Sequence, residues 1–353
     1  MPAPKGRVAF VTGVNGISGN AIVEYMIRQP KSEWSRIVIT SRSPLGNYWE
    51  DPRIEFVALD FLAPVKDIIA KITPTCSDVT HAYFTSYVHV DDFEKLKDYN
   101  APLFENFLTA IDTVAGASLQ RVCLQTGLKH YGCHLGPIAV PMREEHGRYD
   151  DKGLNFYYLQ EDFMFALQKK RQWKWNVIRP GGIIGFTPAG NKFSYNVVEN
   201  VSAAVSIADM TIWATTENHT ADEAFNHENG DLFCFRDLFP KLGAYFGVEV
   251  LEPKFTSLGE SSELIENEYH MIQWAKDKKP VWERICKKYG GDPEAFDWGT
   301  WQSMDWAVGK SWPAATTASK ARKFGWTRFD DTYQNWLDTF RSFENARILP
   351  SLQ

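Results

Sequence analysis

Two short runs in the middle of the chain carry side chains that can hold or donate a proton. The first, QTGLKHYG at 125–132, contains Lys129, and the second, NFYYLQED at 155–162, contains the adjacent tyrosines Tyr157 and Tyr158. A phenol and an ammonium beside one bound carbonyl would stabilise the negative charge that develops on its oxygen. Consecutive residues of a helix point about 100° apart, so only one of the two tyrosines can face such a site. Helical periodicity alone does not decide between them.

A glycine-rich loop near the N-terminus indicates a dinucleotide site. The run RVAFVT at 7–12 is typical of a buried strand, and it leads into TGVNGISGN, which contains Gly13, Gly16 and Gly19. In such a loop the first glycine turns the chain off the strand, the second leaves room for a pyrophosphate, and the third lets the helix lie close to the sheet. The position between a strand and a helix makes the signal strong, and a tight turn without a ligand is the alternative.

The end of the second predicted strand favours NADPH over NADH. A site for NADH usually has an acidic residue here to hold the ribose hydroxyls, whereas this chain has Ser41 and Arg42. A guanidinium attracts a 2′-phosphate, which a carboxylate would repel. Asp60, at the end of the third strand, is a candidate partner for the adenine amine. A solvated surface role for Arg42 and a turn-capping role for Asp60 are the alternatives.

The pattern of strands and helices predicts the fold that positions these groups. Strand and helix patterns alternate over the first part of the chain, which is typical of a parallel sheet with right-handed crossovers and helices on both faces. The fold class is therefore α/β, a Rossmann-type doubly wound parallel sheet. The predicted strands are 7–12, 36–40, 54–59, 80–86, 121–126 and 175–178, and the predicted helices are 16–29 and 101–115, the latter with Pro102 in its first turn.

From about residue 190 the alternation loosens, and the pattern predicts a smaller, mostly helical C-terminal substrate-binding cap. We divide the chain into an NADP-binding Rossmann domain at 1–190 and a cap at 191–353, with an approximate boundary because the two interleave. The helical patterns of the cap cover 193–208, 234–247, 261–277, 278–290 and 332–343, and Pro240 is expected to kink or interrupt the second of them.

The composition excludes several function classes. The chain of 353 residues has a net charge of −6 and no basic run to neutralise phosphates, so we expect no nucleic-acid partner. No apolar stretch approaches the roughly 20 residues that span a bilayer, and no apolar signal segment precedes the first strand. Five scattered cysteines suit a reducing compartment. We expect a cytoplasmic protein that binds neither a metal ion nor a membrane.

Three longer motifs resemble those of extended short-chain dehydrogenases/reductases of the progesterone 5β-reductase/iridoid synthase-like (PRISE) family. They are CLQTGLKHYG followed by LGP, NFYYLQEDF, and WKWNVIRPGGIIGFTP, and further similarity extends over nearly the whole chain. Members of that family reduce activated carbon–carbon double bonds of enones and enals with NADPH. The resemblance implies the same activity, an NADP(H) cofactor and a small apolar carbonyl-containing substrate. A homodimer is compatible with it.

The resemblance also assigns roles to residues. Most short-chain dehydrogenases keep the catalytic tyrosine and lysine four residues apart on one helix, but here Asp162 follows Tyr158 at that spacing. In the family resembled, the lysine comes from the segment TGxKHY, which matches Lys129, and we take Tyr158 as the matching catalytic tyrosine. The predicted pocket residues are Tyr87, Tyr131 and Phe186. The predicted cofactor-binding residues are Gly13, Asn15, Gly16, Ile17, Gly19, Ser41, Arg42, Asp60, Phe61, Thr85, Gln125, Thr126, Lys129, Tyr158, Arg179, Pro180, Gly181 and Ile183.

Three kinds of chemistry remain open at this point. In the first, hydride reaches the β-carbon of an enone while Tyr158 and Lys129 stabilise the enolate. A carbonyl reductase or alcohol dehydrogenase would use the same pair but send the hydride to the carbonyl carbon. The third is a redox-silent isomerase or an NADP sensor on the same fold. The loop KHYGCHLGP is longer than KHYLGP in the plant relatives of the family, so the mouth of the pocket should differ.

Overall fold

Strands and helices alternate along the first half of the computed structural model, as the pattern predicts. The structure describes residues 6–46, 49–90, 92–184, 195–251, 270–299, 301–310 and 312–351. The strands are β1 (Arg7–Thr12), β2 (Trp34–Ser41), β3 (Ile54–Ala58), β4 (His81–Phe84), β5 (Arg121–Gln125), β6 (Lys174–Pro180), β7 (Gly182–Ile183), β8 (Val201–Ser202) and β9 (Glu223–His227). The helices are α1 (Ile17–Arg28), α2 (Val65–Cys76), α3 (Leu96–Ala115), α4 (Phe156–Gln168), α5 (Ala204–Thr216), α6 (Phe235–Tyr245), α7 (Met271–Ala275), α8 (Lys279–Tyr289), α9 (Trp301–Gly309), α10 (Ser319–Lys323) and α11 (Thr332–Asn345).

Seven of these strands form one parallel sheet in the order β3-β2-β1-β4-β5-β6-β9. The chain moves outward from β1 in one direction and from β4 in the other, so the strand order reverses between these two strands. Ligands of open α/β sheets bind at such a reversal, outside the carboxyl ends of the strands. The predicted Rossmann-type fold is confirmed. Strand β9 follows residue 190 in the chain, so the segment assigned to the cap shares the sheet, and the boundary at 190 stays a prediction.

The central strand β1 is buried on both faces of the sheet. Val8 and Phe10 pack in the cluster that includes residues of α2 and α3, whereas Ala9 and Val11 pack with residues of α1 and α5. Side chains of successive strand residues point to opposite faces, so a continuous apolar run is what a doubly covered strand requires. This packing fixes β1 firmly, and the glycine loop that follows it therefore starts from a rigid position.

Two helix predictions need correction. Pro102 lies inside α3 and not in its first turn, because the buried stripe of this helix begins earlier, at Leu96. Of the predicted helix at 193–208, residues 193–194 lie outside the described residues, and the rest does not form one helix, since Val201–Ser202 pairs with Gly182–Ile183 and a helix begins at Ala204. Pairing with a distant strand overrides the local helical pattern there.

The remaining differences are smaller. Helix α2 was not predicted, and α6 runs as one helix with Pro240 inside it. Of the predicted helix at 261–277, the described part is helical at Met271–Ala275, and 261–269 lie outside the described residues. Within the described ranges, none of the helices is long and apolar enough to cross a membrane.

Candidate active site

A cleft of about 500 Å³ lies at the carboxyl ends of β1, β2 and β4. Its walls come from the glycine loop, the end of β2, the end of β3 and the segment after β4, which together form the crevice where the strand order reverses. Most of the predicted cofactor residues line it. They are Gly13, Gly16, Ile17, Ser41, Arg42, Asp60, Phe61, Thr85, Gln125 and Ile183.

The glycine loop has the shape that a pyrophosphate needs. Gly13 adopts φ +64°, and a Cβ at this position would lie 2.9 Å from the carbonyl oxygen of Thr85, so no other residue fits without strain. Gly16 is the N-cap residue of helix α1 and offers no side-chain cap, and the first turn of the helix contains no acidic residue. The first amide groups of α1 therefore remain available to an anion. The residues present fit a dinucleotide.

Gly19 contributes to this cleft indirectly. It does not line the cleft, but a Cβ at Gly19 would lie 2.4 Å from the Gly13 carbonyl oxygen. We expect Gly19→Ala to push α1 away from the loop, to lower the free energy of unfolding by about 1–3 kcal/mol, and to weaken NADPH binding by about tenfold or more. Fluorescence titration with NADPH and thermal unfolding measure both effects. Gly136→Ala is the matched control because a Cβ there has no neighbour within 4 Å, and an equal effect of the two changes would contradict the prediction.

Asn15 does not line the first cleft but supports its wall, and its contact with the cofactor stays a prediction. Its side-chain amide donates to the Ser41 hydroxyl at 3.0 Å and to the carbonyl oxygen of Pro44 at 2.8 Å. Its side-chain oxygen accepts from the backbone N–H of Gly46 at 3.0 Å. Because both ends of the amide are used, Asn15 ties the glycine loop to the segment that carries Arg42.

A second cleft, of about 650 Å³, adjoins the first. The two clefts share Tyr87 and Ile183, so a ligand in one would meet a ligand in the other at this junction. Of the other predicted residues, Thr126, Lys129, Pro180 and Gly181 line the second cleft and not the first. Apolar side chains from the C-terminal half form its far wall, among them Phe233, Phe235 and Trp306. Phe186 lies outside the described residues.

Of the two adjacent tyrosines, Tyr157 and not the predicted Tyr158 lies on the wall of the second cleft. Tyr157 is half-buried there, and its hydroxyl lies 3.5 Å from the position of a Cβ on Gly127. Tyr158 is buried on another side of the helix, where its hydroxyl donates to the carbonyl oxygen of His130. The guanidinium of Arg148 covers its ring at 4.6 Å. Lys129 and Tyr157 therefore line the same cleft, and Tyr158 lies outside both clefts.

The start of α4 holds the turn that carries Lys129. Asn155 caps this helix by accepting a hydrogen bond from the Tyr157 N–H at 3.1 Å, and its side-chain amide donates to the Lys129 carbonyl oxygen at 2.9 Å. The hydroxyl of Tyr158 holds the next carbonyl of the turn, that of His130. Tyr158 therefore positions the lysine turn from behind, while Tyr157 faces the cleft.

The surroundings shift the acidities of the two facing groups. Burial raises the pKa of Tyr157 above its ordinary value, and the phenol, which is protonated at neutral pH in any case, can donate a hydrogen bond. Burial also lowers the pKa of Lys129, whose ammonium nitrogen lies 6.0 Å from the centre of the Tyr87 ring. A protonated phenol and a nearby amine make an arrangement that can stabilise an oxyanion.

Behind this pair lies a buried charge network that sequence reasoning missed. Glu161 follows Tyr157 at i+4, the spacing at which most short-chain dehydrogenases carry lysine, and its carboxylate lies 3.0 Å from both Arg179 and Arg148. The His130 ring nitrogen lies 3.4 Å away. Arg179 is thus held by Glu161 and lines neither cleft, and its contact with the cofactor stays a prediction.

Tyr131 also holds the lysine turn in place. It is buried, and its hydroxyl donates to the side-chain oxygen of Asn226 at 2.6 Å. Asn226 lies on β9, the last strand of the sheet, so Tyr131 fastens the lysine turn to the sheet edge. Tyr131 lines neither cleft, so its role in the substrate pocket stays a prediction.

The chain is similar in sequence to known proteins over nearly its whole length. A family model described as "PRISE-like Rossmann-fold domain" matches residues 9–207. The short chain dehydrogenase gsfE of Penicillium aethiopicum is 38% identical, with 98% of this chain and 99% of the relative covered. An (S)-8-oxocitronellyl enol synthase of Nepeta racemosa is 30% identical, with 96% and 92% covered. A 3-oxo-Delta(4,5)-steroid 5-beta-reductase of Arabidopsis thaliana is 28% identical, with 96% and 92% covered.

The fold is similar to that of solved structures with nicotinamide cofactors. The crystal structure of yeast methylglyoxal/isovaleraldehyde reductase with NADPH superposes with a TM-score of 0.61, and 96% of this chain and 99% of that chain are covered. The sequence identity is 11%, so this likeness concerns the fold alone.

Proposed function

This chain belongs to the PRISE-like Rossmann-fold family of short-chain dehydrogenases/reductases, and we propose that it is an NADPH-dependent reductase of activated carbon–carbon double bonds. The observation that carries the proposal is the position of Lys129 and Tyr157. Both line the apolar cleft that joins the nucleotide cleft at Tyr87 and Ile183. An enone in the apolar cleft would therefore have a phenol and an amine beside its carbonyl and the cofactor beside its double bond.

The residues of this chain would act on the substrate oxygen. Bound NADPH supplies the hydride. As the β-carbon of the enone is reduced, negative charge moves to the carbonyl oxygen, and the phenol of Tyr157 donates a hydrogen bond to it. Lys129 adds positive charge beside that oxygen or holds the cofactor ribose. The apolar walls with Phe233, Phe235 and Trp306 exclude water, which strengthens these interactions.

The names of the relatives support reduction at a carbon–carbon double bond. A steroid 5-beta-reductase acts, by its name, on a 3-oxo-Delta(4,5) steroid, and this relative covers nearly the whole of the present chain. We propose the same reaction class for this chain but not the same substrate, because at 28% identity the residues that line the pocket can differ between the two proteins.

Transfer of deuterium from labelled NADPH distinguishes the alternatives. With an α,β-unsaturated ketone and NADPH deuterated at the transferable position, we expect the label on the β-carbon of a saturated ketone. A label on the carbinol carbon would overturn the proposal in favour of carbonyl reduction. Tight NADPH binding without oxidation by enals, cyclic enones, quinones or ketones would favour a sensor or an isomerase.

Arg42 should determine the preference for NADPH over NADH. It lies at the mouth of the nucleotide cleft, just after β2, and its side chain is exposed. A guanidinium there would bond the 2′-phosphate, and a charge-assisted hydrogen bond contributes about 1.5–3 kcal/mol. We expect Arg42→Asp to lower kcat/KM for NADPH by about 10–100-fold and to change kcat/KM for NADH much less.

Steady-state kinetics with both cofactors test this expectation. The matched control is Arg28→Asp, at the far end of α1, where the arginine pairs with Glu24 on the surface. An equal loss for NADPH and NADH in Arg42→Asp would show that the arginine does not contact the 2′-phosphate.

A further inference from the structure

The cap side of the second cleft contains a buried ion pair. The ammonium nitrogen of Lys310 lies 2.7 Å from a carboxylate oxygen of Glu199, and the side chains are 5% and 7% exposed. Both residues line the cleft, beside the apolar side chains of Trp306 and Phe233. The two charges are therefore part of the wall that a substrate would touch.

The backbone fixes both members of the pair. Glu199 exchanges two backbone hydrogen bonds with Phe233, at 2.9 and 3.0 Å. Lys310 directly follows α9, and its backbone N–H donates to the Trp306 carbonyl oxygen at 3.2 Å. Its ammonium group also donates to the Ala307 carbonyl oxygen at 3.3 Å. The charged atoms consequently hold one arrangement before a ligand arrives, which favours specific recognition.

The pair is difficult to explain by stability alone. Removing two charges from water costs several kcal/mol per ion, and well-packed apolar residues of similar volume are often equally or more stable. An apolar replacement would also suit a cleft whose neighbouring wall is aromatic. Ionisable groups buried in a cleft with a specific charge partner are typical of functional sites.

The opposite charges of Lys310 and Glu199 favour one chemical class of ligand group beside them. An ammonium has three protons to donate, and within the described part of the chain Lys310 donates to two acceptors, the Glu199 carboxylate and the Ala307 carbonyl oxygen. A hydroxyl can accept from Lys310 and donate to Glu199 at once. A carboxylate would be attracted by Lys310 but repelled by Glu199, and a methyl group would leave both charges desolvated without a new partner.

We propose that the substrate carries a neutral hydroxyl group, alcoholic or phenolic, which the Lys310–Glu199 pair binds. The inference rests on the proposed function in one respect, namely that the second cleft holds the substrate. It adds a polar anchor to the apolar carbonyl compound expected from the sequence, so the substrate is a hydroxylated enone.

Matched ligands and a paired replacement test this inference. The ligands are benzylideneacetones that carry a hydroxyl, methyl or carboxylate group at the meta or para position of the ring. Calorimetry measures their affinities for the full chain loaded with NADP⁺, so that no turnover occurs. Lys310→Met is combined with Glu199→Leu because a single change would leave a buried charge without its partner. The control pair is Lys320→Met with Glu223→Leu, an ion pair that does not line the cleft.

In the wild-type protein, we expect one of the hydroxyl compounds to bind about 10–100-fold more tightly than its methyl counterpart. The ratio should approach one in the Lys310/Glu199 replacement and stay at the wild-type value in the control. The ratio within one protein cancels any general change in affinity. Equal wild-type affinities, a preference that survives the replacement, or tightest binding of a carboxylate would each overturn the inference. Binding with the expected ratio but no reduction by NADPH would refute the proposed reaction alone.

Discussion

Replacing Tyr157 by phenylalanine should lower kcat for an α,β-unsaturated ketone by about 100–1,000-fold, the usual cost of one missing oxyanion donor. The phenol lies on the wall of the second cleft and is protonated at neutral pH, so it can donate a hydrogen bond. The change removes one oxygen atom and keeps the ring, so the shape of the cleft should persist. NADPH affinity should stay near the wild-type value because Tyr157 does not line the nucleotide cleft.

Tyr158→Phe is the matched control for this prediction. It removes the hydroxyl that donates to the His130 carbonyl oxygen, a contact behind the lysine turn. We expect a loss of about 1 kcal/mol of stability and a fall in kcat of less than about tenfold. Single-turnover measurements of NADPH oxidation compare the two variants at the chemical step. A large fall in Tyr158→Phe with little change in Tyr157→Phe would reverse the assignment.

The nucleotide half of the site could be predicted from the sequence because its signals are local. The glycines stand directly between β1 and α1, and Ser41, Arg42 and Asp60 stand directly at strand ends, so the parallel topology alone brings them to one edge. Local sequence signals do not determine which of Tyr157 and Tyr158 faces the cleft. It depends on the rotation of α4, which is set by what the helix buries behind it.

Glu161 is one of the buried residues that set this rotation, and its partners come from elsewhere in the chain. Arg148 precedes the helix, and Arg179 is the residue before the last of β6. A buried glutamate has no periodic signature in a sequence, and the resemblance to the family offered no role for it. The Lys310–Glu199 pair was missed for the same reason, since 111 residues separate its members. Contacts of this kind appear only once the strands are assembled.

Replacing Glu161 by glutamine should lower the free energy of unfolding more than any other single substitution proposed above. The substitution keeps the shape of the side chain but removes the charge that lies between Arg179 and Arg148, with Arg179 almost fully buried. Breaking a buried ion pair from one side typically costs about 3–5 kcal/mol, because the remaining charge is left uncompensated. Urea unfolding at pH 7 measures the difference. Asp162→Asn is the matched control, since Asp162 pairs with Arg148 at the surface, where an ion pair is worth about 1 kcal/mol or less.

The effect of Glu161→Gln should depend on pH in a defined direction. Burial alone would raise the pKa of this carboxyl, but the contacts with His130 and Arg179 outweigh it and lower the pKa from 4.5 to about 2. Because the folded-state pKa is the lower one, the charge stabilises the fold fully above about pH 4.5, and the stabilisation is lost as the pH falls toward 2. The shift corresponds to about 3 kcal/mol, of which roughly half should be gone by pH 3. The gap in unfolding free energy between the wild type and Glu161→Gln should therefore narrow from pH 7 to pH 3. A gap of constant size would show that Glu161 acts through packing and not through its charge.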